Sequence, residues 1–185
     1  MRYAASMLGS RLGASLLVAA CALGAACSPV KRPDGGEGLL QVGASAPDVV
    51  AKDADLREVR LSALRGKPVV VYFYPKDGTP GCTKEACAFR DAWARFEKGG
   101  VAIIGVSSDS EQKHQEFQRE HHLPFALAAD ESGSVAQSYG VSKKLWGYSR
   151  VTFLVDRRGS VAHVWPDVDP GVHADAVLAE AAKLP

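Results

Sequence analysis

Pro75-Lys76-Asp77-Gly78-Thr79-Pro80-Gly81-Cys82-Thr83-Lys84-Glu85-Ala86-Cys87 is the stretch on which the reading of this chain turns. Thr79 is placed to cap a helix, its hydroxyl oxygen accepting the orphan N–H three residues on. Pro80 then takes the first helical position, where a missing N–H costs nothing. Cys82 follows as the third helical residue, the position a glutamate fills in a capping box. A sulfur there faces free backbone donors and the positive end of the helix dipole, an environment that favours the nucleophilic thiolate.

Cys87 stands five residues further on. On an ideal helix that spacing is a rise of about 7.5 Å and a rotation of about 140°, which leaves the Cα atoms roughly 8 to 9 Å apart. A disulfide needs roughly 4.4 to 6.8 Å. The two cysteines therefore cannot bond while the helix is intact, and closing the pair requires its first turn or two to unwind. The placement suits a redox pair that closes only after Cys82 is oxidised, not a standing structural bridge.

Ahead of the motif, residues 69–74 form a continuous β-branched and aromatic run, suited to a central buried strand. Behind it a helix is predicted from residue 80 to about 97, with Cys82, Ala86, Phe89, Trp93 and Phe96 on one core-facing stripe. Residues 101–106 read as a second buried strand, and residues 110–121 as a helix with Phe117 inward and a polar remainder. A short strand at 127–129 and a short helix at 132–139, stopped by Gly140, come next. Residues 151–155 and 161–165 flank the turn Asp156-Arg157-Arg158-Gly159 as a hairpin, and residues 172–183 form a closing helix. Residues 49–61 read as an N-terminal hairpin extension. The result is an α/β domain, a central mixed sheet flanked by helices in the order of a thioredoxin-like fold. Cys82 then lies just past the carboxyl end of a central strand, where open α/β sheets place their ligands.

Pro75, Thr79 and Cys82 fill the pattern Pro-x-x-x-Thr-x-x-Cys, which resembles the peroxiredoxin active site. The version with a second cysteine five residues on resembles the bacterioferritin-comigratory, or peroxiredoxin Q, subfamily, and the likeness runs from about residue 42 to near the C-terminus. The resemblance implies a thiol peroxidase. The Cys82 thiolate attacks a peroxide oxygen, the O–O bond breaks, and Cys82 becomes a sulfenic acid. It assigns the active-site arginine to Arg150, in the Arg-x-Thr-Phe run, where a permanent positive charge supports thiolate and leaving oxygen. Thr79 sets its hydroxyl beside sulfur and substrate, and Pro75 shapes and shields the loop. Glu85 is a candidate to orient Arg150 and equally reads as a solvated helix charge; Phe125, Trp146 and Tyr148 read either as pocket lining or as core. Cys87 resolves the sulfenic acid within one chain, so a monomer suffices. The resemblance implies thioredoxin as the reductant, or a periplasmic thioredoxin-like protein for an envelope address. The five histidines show no metal-ligand spacing, and the chemistry needs no cofactor.

A thiol–disulfide oxidoreductase of the thioredoxin type is the competing reading. It resembles Trp-Cys-x-x-Cys, whereas here four residues separate the cysteines and no tryptophan precedes Cys82. A non-enzymatic envelope module is a third, and it leaves Pro75, Thr79, Cys82 and Arg150 unexplained. The formal net charge of +1 gives no field to recruit nucleic acid.

The first 26 residues carry Arg2 and Arg11 ahead of an apolar stretch too short for a comfortable membrane span, the build of a secretory signal. Small residues lead directly to Cys27, which resembles a bacterial lipoprotein cleavage site with Cys27 as the acylated residue; Cys21 fits the local pattern less well. Residues 27–41, rich in proline, glycine and charge, read as a flexible tether with no means of packing. Residues 42–185 are the folded domain. The expected address is the bacterial cell envelope, facing the periplasm through a lipid anchor, or secretion.

Overall fold

The computed structural model describes residues 28–185, so Cys27, Cys21 and the apolar stretch around them lie outside the described residues. Strand β1 (Val50–Lys52) and strand β2 (Glu58–Arg60) form the expected N-terminal hairpin. Then come β3 (Val69–Phe73), helix α1 (Pro80–Asp91), α2 (Trp93–Lys98), β4 (Ala102–Ser107), α3 (Glu111–His121) and β5 (Ala126–Ala129). The chain continues through α4 (Ser134–Tyr139), the two-residue strands β6 (Lys143–Lys144) and β7 (Gly147–Tyr148), β8 (Val151–Val155), β9 (Val161–Trp165) and α5 (His173–Ala181). Seven strands make one mixed sheet in the order β2-β1-β5-β4-β3-β8-β9. β3 runs parallel to β4 and antiparallel to β8, so it is an interior strand paired on both edges, with every residue buried.

Period-two alternation divides the core. Val69, Val71 and Phe73 point to one face, with Tyr139, Tyr148 and Phe153, while Val70, Tyr72 and Tyr74 point to the other. That second face carries Cys82, Ala86, Phe89, Phe96 and Phe125 under α1. Phe125 stacks edge-on against Tyr72 and Phe89, and Tyr148 donates its hydroxyl to the Asp130 carbonyl at 2.6 Å. Both are core, not pocket lining.

Three expectations are corrected, and one element is new. The long helix is two helices, because Ala92 adopts φ −87°, ψ −1° and its N–H turns to the Ala88 and Arg90 carbonyls. No proline or glycine marks that break. Helix α3 turns more than Phe117 inward: the polar side chains of His114 and Gln118 are buried as well, each satisfied by a backbone carbonyl, Ala128 at 3.1 Å and Phe125 at 3.0 Å. The segment 31–40 packs instead of running free. The backbones of Lys31 and Glu37 pair as an isolated antiparallel β-bridge, Arg32 Nη1 donates to the Gly38 carbonyl at 2.8 Å, and Leu40 is buried with its N–H on the Tyr139 carbonyl. Finally, β6 and β7 form a small hairpin that two-residue strands without apolar alternation do not announce.

Candidate active site

The end of β3 delivers the chain into a loop held from outside. Tyr74 donates its hydroxyl to Asp77 Oδ1 at 2.7 Å, Asp77 Oδ2 lies 2.7 Å from His114 Nδ1, and the Asp77 N–H donates to Asp109 at 2.9 Å. The carboxylate of Asp109 is itself fixed by the Ser107 hydroxyl. This network pins residues 75–79 to α3 and β4, and with them the start of α1. Sequence patterning missed it, because Asp77, Asp109 and His114 are scattered along the chain and meet only through the β3–β4 pairing.

Thr79 is the residue before α1 and Pro80 its first residue, as expected, but the Thr79 side chain does not cap the helix. Its hydroxyl donates to the Lys76 carbonyl at 3.1 Å, closing the loop on itself, and the Thr79 carbonyl takes the Thr83 N–H. Pro75 is half-buried, and its carbonyl lies directly against the backbone of Gly147 in β7. A Cβ at Gly147 would collide with that carbonyl, and φ of +115° is a conformation that glycine alone adopts readily.

Cys82 is 1 % exposed. Arg150, reaching in from just before β8, sets Nη2 3.3 Å from Cys82 Sγ, and its Nη1 pairs with Glu85. Glu85 is fully buried, not a solvated helix charge. Burial pushes its pKa up to about 7, while the Arg150 guanidinium pulls it back. Burial alone would lower the Arg150 pKa, but Glu85 and Cys82 raise it above its ordinary value. Two polar atoms in this pocket, Glu85 Oε1 and the Tyr72 hydroxyl, have no hydrogen-bond partner among the described residues. Unpaired buried groups of this kind are costly and concentrate at functional sites. Burial, then the charges of Glu85, Asp77 and Cys82, hold the Tyr72 phenol well above its usual range, so it stays a neutral hydroxyl.

Cys87 is half-buried five residues along the same helix, and both cysteines are free thiols. Trp146 is 79 % exposed, so it is neither core nor an enclosed pocket wall. At the start of α5, His173 is buried with its Nε2 2.8 Å from the Thr152 hydroxyl. Burial, and then the charge of Arg150, pull its pKa down to about 4.

A profile described as the AhpC/TSA family matches residues 42–164. The chain belongs to that family. It is 42 % identical to the putative peroxiredoxin bcp of Coxiella burnetii over 146 residues, covering 75 % of this chain and 97 % of that one. It is 45 % identical to the chloroplastic peroxiredoxin Q of Oryza sativa subsp. japonica over 130 residues, 69 % of this chain and 60 % of the rice protein. The crystal structure of peroxidoxin BcpB from Mycobacterium tuberculosis superposes with a TM-score of 0.73 at 33 % identity, covering 79 % of this chain and 99 % of that one. The protein is a peroxiredoxin of the bacterioferritin-comigratory and peroxiredoxin Q kind, an oxidoreductase with the thioredoxin-like fold.

The two displaced titrations work against each other. Glu85 binds its proton more tightly folded (about 7) than unfolded (4.5), so its stabilising contribution is complete below 4.5 and is lost as pH rises through 7. His173 binds its proton less tightly folded (about 4) than unfolded (6.5), so its contribution is complete above 6.5 and is lost as pH falls through 4. Between pH 4.5 and 6.5 the slopes cancel. Glu85→Gln is expected to unmask the histidine, with stability then rising by about 3 kcal/mol from pH 4 to 6.5 in urea melts. A variant whose pH profile keeps the parental shape would refute the assignment.

Proposed function

We propose that this peroxiredoxin reduces hydrogen peroxide and organic hydroperoxides through Cys82, with Cys87 as the resolving thiol of the same chain. The observation that carries the reading is the buried Cys82 sulfur with Arg150 Nη2 at 3.3 Å, the guanidinium itself held by buried Glu85. The Cys82 thiolate attacks one peroxide oxygen and the O–O bond breaks. The leaving oxygen departs as alkoxide or hydroxide and takes up a proton, giving alcohol or water. Arg150 keeps its charge at every relevant pH, and its donors offset the charge that develops on that oxygen.

The Cys82 sulfenic acid is attacked by the Cys87 sulfur, forming the S–S bond and releasing water. Since α1 holds both residues on one unbroken helix, its first turns must open for the sulfurs to meet. An external dithiol, thioredoxin or a periplasmic thioredoxin-like protein, then takes over the disulfide and returns both thiols. The cycle is complete within one chain and uses no cofactor. Its address is the bacterial envelope, with Cys27 carrying the lipid.

Mass spectrometry after one equivalent of peroxide tests the whole scheme. The parent is expected to lose two hydrogens between Cys82 and Cys87, and the N-terminal peptide to begin with acylated Cys27. With Cys87→Ser the first oxidation proceeds at the parental rate, but the product is a stable Cys82 sulfenic acid that thiol-trapping reagents label. Loss of that first oxidation in Cys87→Ser would remove Cys87 from the resolving role.

A further inference from the structure

The β6–β7 hairpin ends in Leu145 and Trp146, 88 % and 79 % exposed, side by side at its tip. Isolated surface hydrophobes need no explanation, but these two are the most exposed of the large apolar side chains among the described residues and they are adjacent. Lys143 and Lys144 on the first strand are exposed, and among the described residues neither makes an ion pair. A cleft of about 490 Å³ runs from this tip to the active-site loop, where Lys76 and Lys113 add two more ammonium groups. Glu131 and the satisfied Asp109 are the acids along it.

A tip of this composition is suited to a bilayer surface. Tryptophan and leucine enter the interfacial zone, tryptophan by its amphipathic ring, while lysines stay at the headgroups and attract anionic lipid. A second observation agrees in position. Ser28, Pro29 and Val30 lie in one cleft with Ser142 and Ser149, the residues at the base of the same hairpin. The first described residues of the chain therefore lie beside the base of the hairpin whose tip is Leu145 and Trp146.

We infer that the β6–β7 hairpin docks on an anionic lipid surface and so directs the enzyme to hydroperoxides of membrane phospholipids. The substrate half of this rests on the thiol peroxidase reading above; the docking half does not. Gly147 lies on the Pro75 carbonyl, so the docked hairpin brings the loop that leads to Cys82 down to the interface. An oxidised acyl chain bends its polar hydroperoxide toward the headgroups, and that group then meets the loop without leaving the membrane. Oxygen transfer to Cys82 leaves the lipid alcohol in place.

The test adds the full chain to vesicles of phosphatidylcholine and phosphatidylglycerol whose acyl chains carry bromine, a short-range quencher of indole fluorescence. Trp146→Phe isolates residue 146 from Trp93 and Trp165. Quenching is expected to depend on Trp146 and on phosphatidylglycerol. Lys143→Gln with Lys144→Gln should weaken insertion about 25-fold, about fivefold for each charge. In the same vesicles Leu145→Ser with Trp146→Ser should slow turnover of phosphatidylcholine hydroperoxide about tenfold or more, with hydrogen peroxide turnover unchanged. Quenching that is the same in Trp146→Phe would overturn the docking. So would a tip variant that slows both substrates equally, or one that only raises KM for the dithiol protein, which would make the hairpin a reductant-docking site. Failure of the peroxidase reading looks different: turnover survives Cys82→Ser while Trp146 is still quenched.

Discussion

Cys82→Ser is expected to bring peroxide consumption down by at least about four orders of magnitude, to the rate of the thiol reductant alone. A serine hydroxyl at that position is almost wholly protonated at neutral pH, and its oxygen is a poor nucleophile toward a peroxide bond. The substitution is nearly isosteric, and Arg150 still has Glu85 as a partner, so the fold should survive. A unchanged melting temperature with lost turnover would separate chemistry from stability. Activity that persists in Cys82→Ser, measured as hydrogen peroxide loss with dithiothreitol as reductant, would end the proposed mechanism.

Arg150→Met carries the second largest effect. It removes the donor 3.3 Å from Cys82 Sγ and also leaves Glu85 buried without its cation. Loss of a donor aimed at developing charge costs about 100- to 1000-fold in rate. Breaking a buried pair by deleting one partner destabilises by about 3 to 5 kcal/mol, unless the survivor neutralises itself. Glu85, already displaced to about 7 by burial, has that escape and should take up a proton. The combined variant Arg150→Met with Glu85→Gln should therefore regain most of the lost stability and none of the lost rate. Recovery of the rate in the double variant would show that Arg150 acts on the fold and not on the reaction.

The fold was largely legible because its central strands are fully buried and carry β-branched or aromatic runs, and Thr-Pro-Gly announces the start of α1. What stayed hidden depends on tertiary placement. Glu85 reads as an ordinary helix charge until Arg150, 65 positions away, arrives to neutralise it in the core. The Thr79 hydroxyl looks like a cap, yet the loop carbonyl of Lys76 competes for it and wins. Residues 31–40 have the composition of a linker, and buried Leu40, the hydrogen bonds of Arg32 and the backbone bonds to Tyr139 hold them down only once the rest of the fold is in place. The β6–β7 hairpin is too short for periodicity to register.

Because Cys82, Glu85 and Cys87 share α1, opening that helix to join the sulfurs would also draw Glu85 out of its apolar seat. In water its carboxyl reverts toward 4.5, so a group half-protonated near pH 7 sheds its proton to the medium. Each catalytic round would then export a fraction of a hydrogen ion on oxidation and recapture it on reduction. The redox potential of the Cys82–Cys87 couple would consequently drift with acidity more steeply than its two thiols alone require, and an acidic medium would favour the reduced, substrate-ready state.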